Sequence, residues 1–147
     1  MKFTHDANGK MKSGWMMGLF LVVHGLIHYG VAAAPDPDGS PGAWMLNPST
    51  SVFSMLGIGD DIVTGIGIAL VGVATVGFVL SGISILTRRW GTGRNHMVVI
   101  SSLFSLASLL GFFNIYWVVA IGINTVLIVL FSSNAVAKTS LVTAIAE

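Results

Sequence analysis

Four long runs of apolar residues dominate the chain, and segments of turn-forming or charged residues separate most of them. A transmembrane helix needs about 17 to 25 mainly apolar residues to cross a hydrocarbon core about 30 Å thick. The pattern therefore predicts an all-α integral membrane protein, folded as a four-helix bundle in a single domain over residues 1–147. The predicted spans are residues 14–34, 62–86, 97–113 and 115–131.

The third and fourth runs are separated by very little, and Asn114 is the only polar break between them. A single helix covering both runs would overshoot the bilayer. We therefore predict a tight helical hairpin at this point.

The basic residues indicate how the predicted spans are oriented. Loops that stay in the cytoplasm are enriched in Lys and Arg, and all seven such residues fall in segments that would share one side of the membrane. Residues 35–61 contain four aspartates and no Lys or Arg, as expected of a long external loop between the first two helices. Both termini are thus predicted to be cytoplasmic, in a cytoplasmic membrane of the prokaryotic type. The basic residues are Lys2, Lys10, Lys12, Arg88, Arg89, Arg94 and Lys138.

Two details concern the ends of the external loop. Val31-Ala32-Ala33 resembles a signal-peptide cleavage site, but the apolar stretch is longer than usual and Pro35 follows closely, so we expect the first span to be retained. Farther along, apolar residues within 51–58 indicate a short helix or turn that lies on the membrane surface or folds over the bundle. Ser49, Thr50 and Ser51 are candidates to cap it.

Composition excludes several classes of function. Hydrophobic residues make up 54% of the chain and charged residues 9%, against about 25% charged residues in soluble domains. The chain has no cysteine, which excludes disulfides, iron-sulfur clusters and thiol chemistry. It also has no basic patch with interleaved aromatic residues, so we expect the lipid bilayer and not a nucleic acid as its partner.

The candidate site is a histidine pair in the first span. His24 and His28 are expensive to place at membrane depth, so they need a reason. Histidines four residues apart project from the same side of a helix and can chelate one metal ion. Asp61, at the start of the second span, is a candidate further ligand. Asn124 of the fourth span, at a similar depth, and Tyr29 are the other candidates for contact with a cofactor.

Three kinds of ligand are possible for this histidine pair: a metal ion, haem b and a quinone. The other histidines are His5 and His96, and His96 differs in depth from His24 by about ten residues, or about 15 Å at 1.5 Å per residue. This disfavours a haem held by two histidines of one chain but leaves open ligation between two copies in a dimer. A quinone needs less: one histidine donor and an apolar slot that opens to the bilayer.

Two other classes of function compete with cofactor binding. In a structural or assembly subunit, the histidines would only join helices through hydrogen bonds worth about 0.6 to 2 kcal/mol. In a small oligomeric transporter or channel, several copies would have to provide a polar path. In each case we expect a homo-oligomer or a place in a larger membrane complex.

The run His24-Gly25-Leu26-Ile27-His28, the chain length and the even number of spans together resemble the small DoxX-like four-helix membrane proteins. Proteins of that group are associated with respiratory or sulfur-linked redox complexes. The resemblance implies a quinone-side or accessory redox role. This chain lacks cysteines and has no carboxylate inside a span, and we predict no catalytic residue.

Overall fold

The structure, a computed structural model, describes residues 7–35, 44–88 and 93–146, and the side chains within 14–35, 45–88 and 93–133. Every regular element in these ranges is a helix, which confirms the predicted all-α class. Residues 36–43 of the predicted external loop lie outside the described residues. The α-helices are α1 (Ala7–Ala33), α2 (Val52–Met55), α3 (Asp60–Leu86), α4 (Gly93–Gly111) and α5 (Val118–Ala146), and short 3-10 turns cover Trp44–Leu46, Pro48–Thr50 and Ile115–Trp117.

Three helical segments of the described chain are long and apolar enough to cross a membrane: Gly14–Ala33, Asp60–Leu86 and Ile115–Ser133. They identify the chain as a membrane protein. Helix α4, which covers the third predicted span, is not one of the three. Its first turn is polar, with Arg94 and His96, and its buried face is made largely of serine.

The helices pack in chain order, with α1 against α3, α3 against α4, and α4 against α5. Helices α4 and α5 are joined by a short turn in which Asn114 Oδ1 accepts a hydrogen bond from Tyr116 N at 3.1 Å. The predicted hairpin is therefore confirmed. Within the described residues, the backbones of α1 and α5 do not pack closely against each other, and side chains of the two helices meet at His24 and Asn124.

Glycines set the close approach of α1 to α3. A side-chain carbon at Gly82 would lie 2.6 Å from Gly18 O, and one at Gly25 would lie 3.0 Å from Phe78 Cβ. Both distances are shorter than an ordinary van der Waals contact, so the observed approach requires residues without a side chain. The space around Gly14, one turn before Gly18 on α1, is open.

Two apolar clusters form the core, one toward each end of the long helices. His24 and His28 lie on α1 between them, one or two turns from the nearest members on that helix, Leu21 and Ala32. The cluster nearer the external loop contains Ala32, Met45, Leu46, Val63, Val71, Leu109, Phe112 and Trp117. The other contains Leu21, Ala74, Phe78, Val98, Leu127 and Phe131.

The short helix α2 covers one end of α4. Ser51 Oγ caps α2 by accepting a hydrogen bond from Phe53 N at 3.1 Å. The Phe53 ring lies against the last residues of α4, with its centroid 6.1 Å from that of Phe112, while Met55 and Leu56 are exposed. The predicted short helix is confirmed, and it folds over the end of α4 instead of lying apart from it.

Candidate functional site: an imidazole-lined cavity

The two imidazole rings of α1 are buried next to each other and against an aromatic side chain of α3. His24 is 7% exposed and His28 is 6% exposed. Their ring centroids are 4.8 Å apart, with the planes nearly perpendicular at 81°. Phe78 meets His24 edge-on at 4.9 Å and lies almost parallel to His28 at 6.0 Å. The rings are therefore held by packing as well as by hydrogen bonds.

His28 also links α1 to α4. Its Nε2 atom and Ser105 Oγ share a hydrogen bond of 2.9 Å, and the tautomer of the ring decides which atom donates. Ser105 is completely buried, so the bond lies in an environment of low dielectric, where a polar group without a partner would be costly.

His24 has a different environment on its polar side. The side chain of Asn124, on α5, is close enough to interact with His24, yet neither His24 Nε2 nor Asn124 Oδ1, both buried, has a hydrogen-bond partner of good geometry. Asn124 Nδ2 is bound instead to Ala120 O of its own helix at 2.8 Å. Buried polar atoms are nearly always paired, and an exception calls for an explanation such as a water molecule or a ligand.

A cavity of about 240 Å³ adjoins the pair. Its walls come from one face of α1, from the end of α4, from the turn before α2 and from the beginning of α5. Apart from the two imidazoles, the Tyr116 hydroxyl and the Trp117 indole, the lining side chains are apolar. The lining residues are His24, Ile27, His28, Val31, Met45, Leu109, Tyr116, Trp117, Val119, Ala120 and Ile123.

The structure brings only some of the predicted site residues together. His24 and His28 line the cavity, and Asn124 lies fully buried behind it. Tyr29 is 65% exposed and does not line the cavity, because the residue after His28 points about 100° away from it around the helix. Tyr116, at the beginning of the last long helical segment, provides the phenol of the lining instead.

The predicted metal set does not assemble. Among the described residues, no three His, Cys, Asp or Glu side chains are grouped so that they could hold a metal ion. Asp61 lies exposed in the first turn of α3 and is not grouped with His24 and His28. A zinc site needs at least three protein ligands, and His24, His28 and Asp61 do not provide such a set within the described residues.

Cavity size and chemistry restrict the ligands that fit. Pockets for drug-sized ligands measure roughly 300 to 1,000 Å³, and this cavity of about 240 Å³ is smaller. It has room for a single ring system. The imidazoles can donate or accept hydrogen bonds, and the remaining walls suit an apolar ring, so the site matches a small apolar ring that carries oxygen atoms.

Three residues that matter here were not predicted as site residues. Nothing in the sequence marks Phe78 as a site residue, because it is one apolar residue in an apolar helix. Ser105 is one of several serines along α4 and is not distinguished from them by its position in the sequence. Trp117 follows the polar break at Asn114, where tryptophan is typical of a membrane interface, but its side chain is buried.

In comparisons with known proteins, no family model, curated protein or solved structure matches this chain. The part of the chain that the structure describes is all-helical, with three helical segments able to cross a membrane.

Proposed function

We propose that this protein is a small redox-associated or accessory membrane subunit that binds the headgroup of a quinone or quinol in the cavity beside His24 and His28. One observation carries the proposal: a mostly apolar cavity of single-ring size has two buried imidazoles in its wall. A quinone carbonyl accepts a hydrogen bond and a quinol hydroxyl donates one, and an imidazole can serve either form.

The polar atoms near the cavity support the proposal further. His28 has its Nε2 bound to Ser105, which orients the ring, while His24 Nε2 has no partner of good geometry. Because His24 lines the cavity, a ligand oxygen bound there could give that nitrogen the hydrogen bond that it lacks. The electrons for quinone reduction would come from a different, redox-active protein, so the proposal includes a larger membrane complex, in which this chain can also form a homo-oligomer.

The proposal includes a topology of four membrane-crossing helices with both termini in the cytoplasm of a prokaryotic-type cell. Helix α4 is packed between α3 and α5, which are in the set of helices able to cross. The positions of the seven basic residues favour an even number of crossings. The serine face of α4 is directed inward, as expected of a spanning helix that contacts protein on that side.

The test uses Trp117, which lines the cavity. Replacing the other three tryptophans by Phe leaves Trp117 as the only indole, and quinones quench indole fluorescence on contact. In lipid nanodiscs, a tail-less benzoquinone should quench Trp117 saturably. The double variant His24→Leu, His28→Leu removes hydrogen bonds worth about 1–3 kcal/mol together, so binding should weaken roughly 5- to 150-fold.

The control variant is His96→Leu, which replaces an exposed histidine of α4 that does not line the cavity. Circular dichroism of the helices and gel filtration verify that each variant folds. If the double variant does not fold, the single substitution His24→Gln replaces it as a milder change. Quenching that never saturates, or that is equal in the parent and a folded histidine variant, would refute quinone binding.

A purely structural role is the second candidate, because His28 and Ser105 directly connect α1 and α4. In that case the double histidine variant should lose stability and the parent protein should bind no quinone. Measuring both quantities on the same preparations separates the two functions.

A further inference from the structure

The cavity lies in the gap between the first and the last long helices. Its α1 wall is a single stripe of residues at positions i, i+3, i+4 and i+7: His24, Ile27, His28 and Val31. The opposite wall contains Val119 and other residues from the first turns of α5. Because the backbones of α1 and α5 do not pack closely within the described residues, the space between these facing stripes is bordered by side chains and not closed by backbone contact.

The exposure of the lining residues shows which wall is open. Met45 and Leu109 are 2% and 1% exposed and Trp117 is also buried, so the inner walls are closed. Ile27, Val119 and Tyr116 line the same cavity but are 55%, 73% and 70% exposed on the outer surface of the protein. A residue that is both lining and largely exposed stands at an opening, and we call the gap between Ile27 and Val119 the lateral slot.

The lateral slot faces the lipid. Ile27 and Val119 belong to the segments Gly14–Ala33 and Ile115–Ser133, which are apolar enough to cross a membrane. They lie about 9 Å and about 6 Å inside the ends of these segments at 1.5 Å per residue. At this depth the slot is bordered by the hydrocarbon chains of lipids and not by water.

We propose that the lateral slot is the entrance through which a long-tailed quinone reaches the cavity from the bilayer, and that its isoprenoid tail lies between Ile27 and Val119 when the ring is bound. This inference rests on the proposed function and names the class of quinone. A cavity of about 240 Å³ holds the ring but not a tail of several isoprene units, so the tail has to leave it. The lateral slot is an opening with apolar sides that leads directly into lipid.

The test compares two quinones with the same ring, one without a tail and one with a long isoprenoid tail. Ile27→Phe and Val119→Phe place a ring in the lateral slot. The matched controls are Leu26→Phe and Val118→Phe, because Leu26 is also 55% exposed and Val118 is 50% exposed, yet neither lines the cavity. Binding to protein in nanodiscs is measured through Trp117 quenching in the single-tryptophan background.

If the tail lies in the slot, Ile27→Phe and Val119→Phe should weaken binding of the long-tailed quinone by about tenfold, as expected when an occupied space is overpacked. Binding of the tail-less quinone should stay within about twofold, and the two control variants should bind both quinones like the parent. Equal losses for both quinones, or no loss for either, would overturn the slot assignment while leaving headgroup binding intact. A parent protein that binds neither quinone would overturn the proposed function itself.

A second copy of the chain is the competing occupant of the lateral slot. The chain has no cysteine, so a single Val119→Cys substitution reports on this contact without a background signal. Under mild oxidation in nanodiscs, the protein should remain uncrosslinked at this position. Efficient disulfide-linked dimers that form from Val119→Cys but not from Val118→Cys would assign the slot to the partner copy and refute the entrance.

Discussion

Replacing Gly82 by alanine tests the close contact that positions the histidine pair. Gly82 lies one helical turn beyond Phe78, the ring against which both imidazoles pack. A methyl group at Gly82 would lie 2.6 Å from Gly18 O and 2.9 Å from Val22 N. Both of these are backbone atoms and cannot turn away, so α1 has to move away from α3.

The size of the effect follows from these distances. An ordinary van der Waals contact begins near 3.4 Å, so the helices would have to separate locally by most of 1 Å. Overpacking of this kind costs about 1–3 kcal/mol. Alanine also has a higher helix propensity than glycine, worth about 1 kcal/mol in a helix interior, which would partly hide the loss.

Gly72→Ala is therefore the matched control. Gly72 lies on the same helix, and a side-chain carbon there meets no atom within 4 Å. The difference between the two alanine variants cancels the propensity effect, so we expect Gly82→Ala to be less stable than Gly72→Ala by about 1–3 kcal/mol.

The assay is reversible unfolding in mixed micelles of a mild detergent and dodecyl sulfate, followed by circular dichroism. Because α1 carries the histidines, quinone quenching of Trp117 should also decrease in Gly82→Ala and not in Gly72→Ala. Equal free energies of unfolding for the two variants would show that the α1–α3 contact is not as close as described, and the reasoning would fail.

Two further predictions concern buried polar side chains. Ser105→Ala should lower the free energy of unfolding by about 0.6 to 1.5 kcal/mol, because it removes the partner of His28. The control Ser102→Ala removes a buried hydroxyl without a partner and should not lower it. Equal losses for the two variants in the same unfolding assay would contradict the role of the His28–Ser105 hydrogen bond. Asn124→Leu should change the free energy of unfolding by less than about 1 kcal/mol, because it removes the hydrogen bond from Nδ2 to Ala120 O but also removes the buried Oδ1, which has no partner of good geometry. A larger loss in thermal unfolding would show that Oδ1 is paired with the neighbouring His24.

Several parts of the site could not be found from sequence, and the reason is the same for each. Helices α3 and α5 are apolar around their whole circumference, so no stripe marks which face meets protein. Phe78 and Trp117 therefore look like any other apolar residue of a membrane helix. Tyr29 and Tyr116 have similar positions near the ends of apolar runs, and only the structure shows that Tyr116 lines the cavity.

The membrane character, the all-helical class, the hairpin at Asn114 and the Ser51-capped helix could all be derived from the sequence. These features depend on local chemistry: the length of an apolar run, a polar break within it, or a hydroxyl before a first turn. The pairing of His24 with His28 on one helix face is equally local, because i and i+4 side chains are neighbours on any α-helix.

Tertiary structure decided everything that depends on how one helix meets another. Packing of α1 against α3 at Gly18 and Gly82 places the imidazoles on Phe78, and α4 brings Ser105 to His28. Residues of α1, α4 and α5 and of two short turns surround the cavity, and Asp61 is not grouped with the histidines. In a bilayer the hydrophobic effect does not select between apolar helix faces, so their contacts follow from van der Waals fit and a few interhelical hydrogen bonds, which depend on the three-dimensional arrangement of residues far apart in the chain.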